Sequence, residues 1–119
     1  VYFGRAVEMY RRALEQSPYQ VFLRAELAYY FFSTKHNDLA SGELTQILQM
    51  EPAYFNARLL LAEIKLRQGD RAGAQSELQE LEQMEKRFAT QKASPSTSYI
   101  RSLLELNVQK KSELLRLVQ

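Results

Sequence analysis

The sequence contains no cysteine, four glycines and three prolines among its 119 residues. Without cysteine, disulfide scaffolds, thiolate zinc sites and cysteine nucleophiles are excluded, although the cellular compartment is left open. Sheet proteins with many turns need more glycine and proline than this chain has. Helix-forming residues dominate its composition instead. The sequence therefore predicts an all-α protein.

The chain also has little net charge and no long apolar run. Its 16 basic and 14 acidic residues leave a formal charge of +2, whereas nucleic-acid binders usually concentrate a basic excess. The longest apolar runs, 27–32 and 59–62, are far shorter than the roughly 20 residues that cross a bilayer. We therefore expect neither nucleic-acid binding nor membrane insertion by these residues. Because the chain opens without Met, we expect a piece of a longer protein.

A period of 34 residues runs through most of the chain. It relates Pro18 to Pro52, Arg24 to Arg58, and the Leu-Ala pair at 27–28 to the one at 61–62. A fixed period of this length is typical of repeat architectures. Small residues allow antiparallel helices to approach closely while large apolar neighbours fill the remaining space. The alanines expected to be buried at such contacts are Ala28, Ala40, Ala62 and Ala74.

Apolar periodicity predicts the helices, and local residue types predict where they begin and end. The predicted helices cover 2–16, 19–33, 38–50, 53–68 and 71–92, followed by a polar loop at 93–98 and helices near 99–106 and 110–118. Pro18 and Pro52 are expected in first helical turns, with Ser17 as an N-cap. Asn37 and Asp70 are expected to cap the second helix of each pair. Gly69 is expected to end a helix in the left-handed conformation.

These features resemble the tetratricopeptide repeat (TPR). The resemblance divides a single domain, 1–119, into 1–18 (second helix of a partial repeat), 19–52 (a repeat), 53–94 (a repeat with an extended last helix) and 95–119 (capping helices). It implies an all-α, right-handed superhelix of antiparallel helix pairs with C-terminal capping helices. The chain departs from the pattern where Trp is preferred, since those slots hold Arg24 and Arg58. Lys65 also takes the aromatic slot that Phe31 fills one repeat earlier.

Residues that could carry catalysis are sparse. The single histidine, His36, falls in a predicted turn and lacks the partners of a metal site or a nucleophile, and the glycines form no phosphate-binding motif. The acidic residues of the long fifth helix are expected to form a solvated, charge-paired face: Glu77, Glu80, Glu82 and Glu85. The Lys110-Lys111 doublet is expected to be ordinary surface. We expect no enzymatic activity, no cofactor and no metal site.

One helical face carries the prediction of function. By resemblance to TPR proteins, the partner-binding concave groove is lined by Phe22, Glu26, Tyr29 and Phe32 in one repeat and by Asn56, Leu60, Glu63 and Arg67 in the next. The expected function is a protein–protein interaction or scaffolding module that binds a peptide or helix in this apolar, aromatic-rich groove. The alternative use of Phe22, Tyr29 and Phe32 is packing against neighbouring helices. A chaperone-tail receptor is disfavoured because Glu26 and Glu63 would repel a carboxylate.

A second resemblance concerns the C-terminal part. The sequence Ser98-Tyr99-x-Arg101-x-Leu103-Leu104, after a charged helix ending near Arg87-Phe88, resembles the tail of TPR modules fused to bacterial O-antigen ligase-type membrane proteins. It implies the alternative function, an accessory soluble domain of a membrane-bound glycan ligase or polymerase. That parent would place the fragment in the periplasm, whereas the expected location is otherwise the cytoplasm.

The first predicted helix presents two apolar stripes. Ala6, Tyr10 and Ala13 are expected to face the following helix. Phe3, Val7 and Leu14, spaced i, i+4 and i+11, form the other stripe and would normally pack on a missing upstream helix. An apolar stripe left open in this way predicts weak self-association.

Overall fold

A computed structural model of the chain describes residues 2–89 and 108–118, in which every regular element is a helix. The helices are α1 (Tyr2–Gln16), α2 (Val21–Ser33), α3 (Asn37–Met50), α4 (Phe55–Arg67), α5 (Arg71–Ala89) and α6 (Val108–Val118). The all-α prediction is thereby confirmed. The loop predicted at 93–98 and the helix predicted at 99–106 lie outside the described residues. The chain divides into two compact units, Val1–Pro52 and Ala53–Gln119, and each is described by itself.

Each unit is built around one antiparallel helix pair, α2 with α3 in the first unit and α4 with α5 in the second. The four alanines expected at close helix contacts are all buried. In the second unit, Ala62 and Ala74 belong to one apolar cluster with Phe55, Leu78 and Leu81. Small side chains on both helices of a pair let the backbones approach, and the large neighbours close the gap.

The turns inside the two helix pairs have the same geometry at positions 34 residues apart. Lys35 has φ 64° and Gly69 has φ 83°, both in the left-handed region. The next N–H donates across the turn to a helical carbonyl over 2.8 Å in each case, from His36 to Phe31 and from Asp70 to Lys65. This is the helix-terminating bond of a Schellman motif. The prediction for Gly69 is confirmed, and Lys35 adopts the same conformation despite its Cβ.

The prolines lie in turns before the helices, so their predicted place in the first helical turn is wrong. Helices α2 and α4 follow the N-cap residues Gln20 and Tyr54, neither of which caps through its side chain. The Gln20 N–H donates to the Ser17 carbonyl over 3.2 Å, which places Pro18 at the second position of a β-turn. The φ angle fixed by proline suits that position as well as a first helical turn. Ser17 therefore belongs to the turn and is not the N-cap.

The two second helices, α3 and α5, differ in how their first turns are capped. The Gly73 N–H donates to Asp70 Oδ1 over 2.9 Å, so the cap predicted for α5 is confirmed. Helix α3 begins at Asn37 itself, with His36 at the N-cap position and no side-chain cap. The prediction that Asn37 is the cap is therefore wrong by one residue.

Helix α1 packs against α2 through aromatic rings. The Phe3 ring stacks on His36 with a centroid distance of 4.1 Å and lies 5.8 Å from the Tyr30 ring, while Tyr10 lies 6.3 Å from Tyr30. Leu14 is buried as well. The prediction that Phe3 and Leu14 pack on a missing upstream helix is therefore wrong for these two residues, since both predicted stripes lie within one broad apolar face of α1. Phe3 and Val7 are half-buried and keep part of their surface accessible, so weak self-association stays a prediction.

In the second unit, α6 packs on α4 and α5. Leu114 and Val118 are buried in the apolar cluster that includes Ala62 and Leu78, and Leu115 packs at its edge. A helix in this place is what the sequence predicts near 110–118, and it begins two residues earlier. Among residues 2–89 and 108–118, no helix combines the length and the hydropathy needed to cross a membrane.

Candidate functional site

Two aromatic side chains are exposed on one face of α2, which we call its outer face. Phe22 is 63% exposed and Tyr29 is 59% exposed, and the exposed Glu26 lies between them along the helix. Residues at this spacing share one helical face. Leu27, Ala28 and Phe31, by contrast, are buried. The alternative prediction for these aromatics is packing against neighbouring helices. It fits the half-buried Phe32 better than the exposed Phe22 and Tyr29.

The predicted groove residues of α4 are less accessible. Leu60 is buried, Asn56 is half-buried and Arg67 is exposed. The side chain of Glu63 is 13% exposed and pairs with Lys110 of α6, and Arg67 Nη2 lies 3.7 Å from the same carboxylate. The four residues therefore do not repeat the open aromatic face of α2. Instead, one of them already binds another helix of its own unit.

Sequence reasoning missed that Lys110 and Glu63 pair, because it treated the Lys110-Lys111 doublet as ordinary surface. Lys111 also pairs with a carboxylate, donating to both oxygens of Glu85 on α5 over 2.8 Å. The available signal was the doublet's position one helical turn before Leu114 and Leu115. A lysine one helical turn before the buried Leu114 lies on the face of α6 that packs on α4 and α5, where it can reach acidic residues of those helices.

An inter-helix ion pair recurs in both units at the repeat distance. Arg24 Nη1 lies 2.7 Å from Glu43 Oε2, and Arg58 Nη1 lies 2.9 Å from Glu77 Oε2, with side chains between 10% and 14% exposed. Arg24 also donates to Gln46 Oε1 over 2.7 Å. These arginines occupy the slots where the TPR pattern prefers Trp. Where the pattern prefers an indole, this chain therefore has an ion pair between two helices.

Glu77 accepts a second cation from α4, so the prediction that it belongs to a solvated face is wrong. Lys65 Nζ lies 3.0 Å from Glu77 Oε1, and Lys65 is the residue that replaces the aromatic side chain of the first repeat. The loss of an aromatic at this slot therefore comes with a second charge contact across the helix pair. The equal spacing of Arg24 to Glu43 and Arg58 to Glu77, 19 residues in both repeats, was the overlooked signal.

The single histidine belongs to the turn between α2 and α3. Its ring stacks on Phe3, and its Nδ1 lies 3.0 Å from the Thr34 hydroxyl. Within the described ranges, no group of three or more acidic or histidine side chains is placed to hold a metal ion.

Antiparallel helix pairs that recur at a fixed distance, with the same turn and the same ion pair, define a helical-repeat protein. A family profile described as the tetratricopeptide repeat matches residues 31–89, from the end of α2 through α5. This segment of the chain belongs to the tetratricopeptide repeat family. Such repeats generally mediate protein–protein interaction and are typically non-enzymatic. No curated protein matches the chain.

Proposed function

We propose that the chain is an interaction module that binds a peptide or helix of a protein partner through the outer face of α2. The observation that carries this proposal is the exposure of Phe22 and Tyr29 on one face of a helix whose residues Leu27, Ala28 and Phe31 are buried. A few aromatic residues usually supply most of the binding energy of an interface. The energy for a partner would therefore come from these two rings, with Phe32 supporting them.

The charge between the rings indicates what the partner carries. Glu26 is exposed on the same face as Phe22 and Tyr29. A lysine or arginine flanked by apolar side chains would meet the carboxylate and contact the ring faces at the same time. A partner ending in a carboxylate on this face would be repelled. We therefore propose a partner segment with a basic residue between apolar ones.

The predicted groove residues of α4, in the second unit, are also part of the proposal. Of its four residues, the exposed Arg67 and the half-buried Asn56 offer polar groups to a partner. The buried Leu60 would support them from beneath, and Glu63 is engaged by Lys110. The main binding energy is therefore assigned to α2.

The experiment is a selection of displayed random peptides on the chain, followed by calorimetry on the selected peptide. Phe22→Ala and Tyr29→Ala are each expected to weaken binding by about 2 kcal/mol, the usual loss at an interface hot spot. Glu80→Ala is the control, because Glu80 is an exposed residue of α5. Equal affinity for all three variants, each with an unchanged circular dichroism spectrum, would remove α2 as the binding face.

The alternative function, an accessory domain of a membrane-bound glycan ligase or polymerase, stays a prediction. Most of the residues that suggest it, 98–104, lie outside the described ranges. Several membrane-spanning segments upstream in the full-length sequence would support it, and their absence there would count against it.

A further inference from the structure

Helix α6 lies on a surface of α4 and α5 that is apolar in the middle and acidic at two places on its edge. Leu114 and Val118 of α6 are buried in the apolar cluster of the second unit. Lys110 donates to Glu63 of α4, and Lys111 donates to Glu85 of α5. The two lysines thus attach the beginning of α6 to both helices beneath it.

The contact residues of α6 form a simple pattern. Read from Lys110, it is Lys-Lys-x-x-Leu-Leu-x-x-Val, which places every contact residue on one helical face. Gln75 of α5 donates to the Val118 carbonyl over 2.9 Å at the other end. Leu117 points to the outside and is exposed. The chain itself therefore shows which kind of helix this surface accepts.

We propose that this surface of α4 and α5 is a docking site for an amphipathic helix of a partner protein that carries the same pattern, a basic pair followed by apolar residues one and two turns later. Helix α6 is the intramolecular occupant that such a partner displaces. The proposal goes beyond the binding face on α2 and does not depend on it. The proposed docking surface shares one residue with the predicted groove, because Glu63 is a predicted groove residue and already binds Lys110 of α6.

Charge complementarity selects the partner. The side chains of Glu63 and Glu85 are mostly buried, and a carboxylate left in such a place without its cation is strongly unfavourable. A helix without cations over the same surface would keep both carboxylates away from water without the two lysines, and Arg67, 3.7 Å from Glu63 and 61% exposed, would replace them poorly. Leu114 and Val118 would leave an apolar surface that the partner must also cover. An acidic or neutral helix therefore does not compete with α6.

The first experiment measures binding of a fluorescein-labelled peptide with the sequence of residues 108–119 to the full chain. A tethered helix competes at an effective concentration near the millimolar range, so the peptide must displace α6 from the wild-type chain and is expected to bind it only weakly. Leu114→Asp weakens the docking of α6, and we expect this variant to bind the peptide at least about tenfold more tightly than the wild-type chain does. Leu117→Asp adds the same charge on the exposed side of α6 and is expected to bind like wild type.

The second experiment tests the charges. A peptide with both lysines changed to glutamate is expected to lose at least about tenfold in affinity for the Leu114→Asp chain. Introducing Glu85→Lys into that chain, together with a peptide carrying only Lys111→Glu, is expected to restore binding. A merely apolar association would not respond to this exchange.

Three outcomes would overturn the proposal: no binding to the Leu114→Asp chain, equal binding to all chains, or equal binding of the charge-reversed peptide. If Leu114→Asp also melts the helices of the repeats, Lys110→Ser with Lys111→Ser opens the same surface without a charge in the core, and the same outcomes decide. Wild-type dimers in sedimentation velocity that exchange α6 would also overturn it, in favour of a second copy as the occupant. None of these results bears on Phe22 or Tyr29, so failure here is distinct from failure of the α2 face.

Discussion

Arg24 on α2 donates to Glu43 on α3 over 2.7 Å, and the two side chains are almost hidden from solvent. The same contact recurs one repeat later between Arg58 and Glu77. A buried ion pair is not by itself stabilising, because desolvation of both charges offsets their attraction. What it does impose is a mutual dependence, since neither charge is tolerated there without the other.

Removing one charge of the pair should therefore destabilise the first unit. For Glu43→Ala we expect a loss of about 2 kcal/mol in the free energy of unfolding by urea. This is less than the roughly 3–5 kcal/mol for a fully buried pair, because Gln46 still accepts from Arg24. The control is Glu8→Ala, which breaks the solvent-exposed pair of Glu8 with Arg12, whose side chains are 59% and 74% exposed. That change should stay below about 0.5 kcal/mol. Similar losses for both variants would contradict the interpretation of Arg24–Glu43 as a buried pair.

Ala62→Leu should overpack the contact between α4 and α5. Ala62 is buried in the cluster with Ala74 and Leu78, so three extra heavy atoms have no space, and we expect a loss of about 1–3 kcal/mol. Ala72→Leu on the exposed side of α5 is the matched control and should be nearly neutral. Thermal melts of both variants followed by circular dichroism measure the difference. A neutral Ala62→Leu would mean that the helix pair packs in another register.

The two left-handed turns predict opposite responses to substitution. Gly69→Ala places a Cβ at φ 83° and should lower the free energy of unfolding by about 1 kcal/mol. Lys35→Gly removes the same strain at φ 64° but adds freedom to the unfolded chain, so we expect a gain of only about 0.5 kcal/mol. Urea unfolding of both variants tests the signs. A loss on Lys35→Gly would show that the Lys35 side chain contributes more than its backbone strain costs.

The aromatic residues of α2 should separate binding from stability. Phe22→Ala and Tyr29→Ala remove side chains that are largely exposed, so each should change the free energy of unfolding by less than about 0.5 kcal/mol. Phe31→Ala empties a fully buried site and should cost about 3–5 kcal/mol. Urea titrations of the three variants provide the comparison. A large loss for Tyr29→Ala would turn any binding defect of that variant into a folding defect.

The helices could be predicted from the sequence because the buried positions recur at a regular spacing, and the apolar residues of the sequence show that spacing. The alanines at 28, 40, 62 and 74 were predicted to be buried for the same reason, since a small residue that recurs at one repeat position is typical of a close contact between helices. Pro18 could not be assigned by this reasoning. Its fixed φ fits a β-turn and a first helical turn equally well, and only the Ser17–Gln20 hydrogen bond decides between them.

The contacts between helices could not be predicted from the sequence, for a different reason. Periodicity shows which residues of α1 share a face, but it does not show what lies opposite Phe3. Likewise, Glu77 on its own is typical of a solvated glutamate, and its two cations become apparent only when α4 and α5 are paired. In the candidate site, Phe22 and Tyr29 are exposed as the pattern predicts, and their role in binding stays a prediction. The pairing of Glu63 with Lys110 depends on how α6 packs on α4 and α5, which periodicity does not show.

The equal spacing of the two ion pairs has a consequence for how this gene can change length. Arg24 precedes Glu43 by 19 residues and Arg58 precedes Glu77 by 19 residues. An in-frame deletion of 34 residues that begins between Arg24 and Glu43 would bring Arg24 to the same distance from Glu77, and a duplication would add one more matched pair. Unequal recombination can therefore remove or insert a whole repeat without leaving a mostly buried charge unpaired. A point mutation that removes the charge at any of the four positions always leaves its partner unpaired.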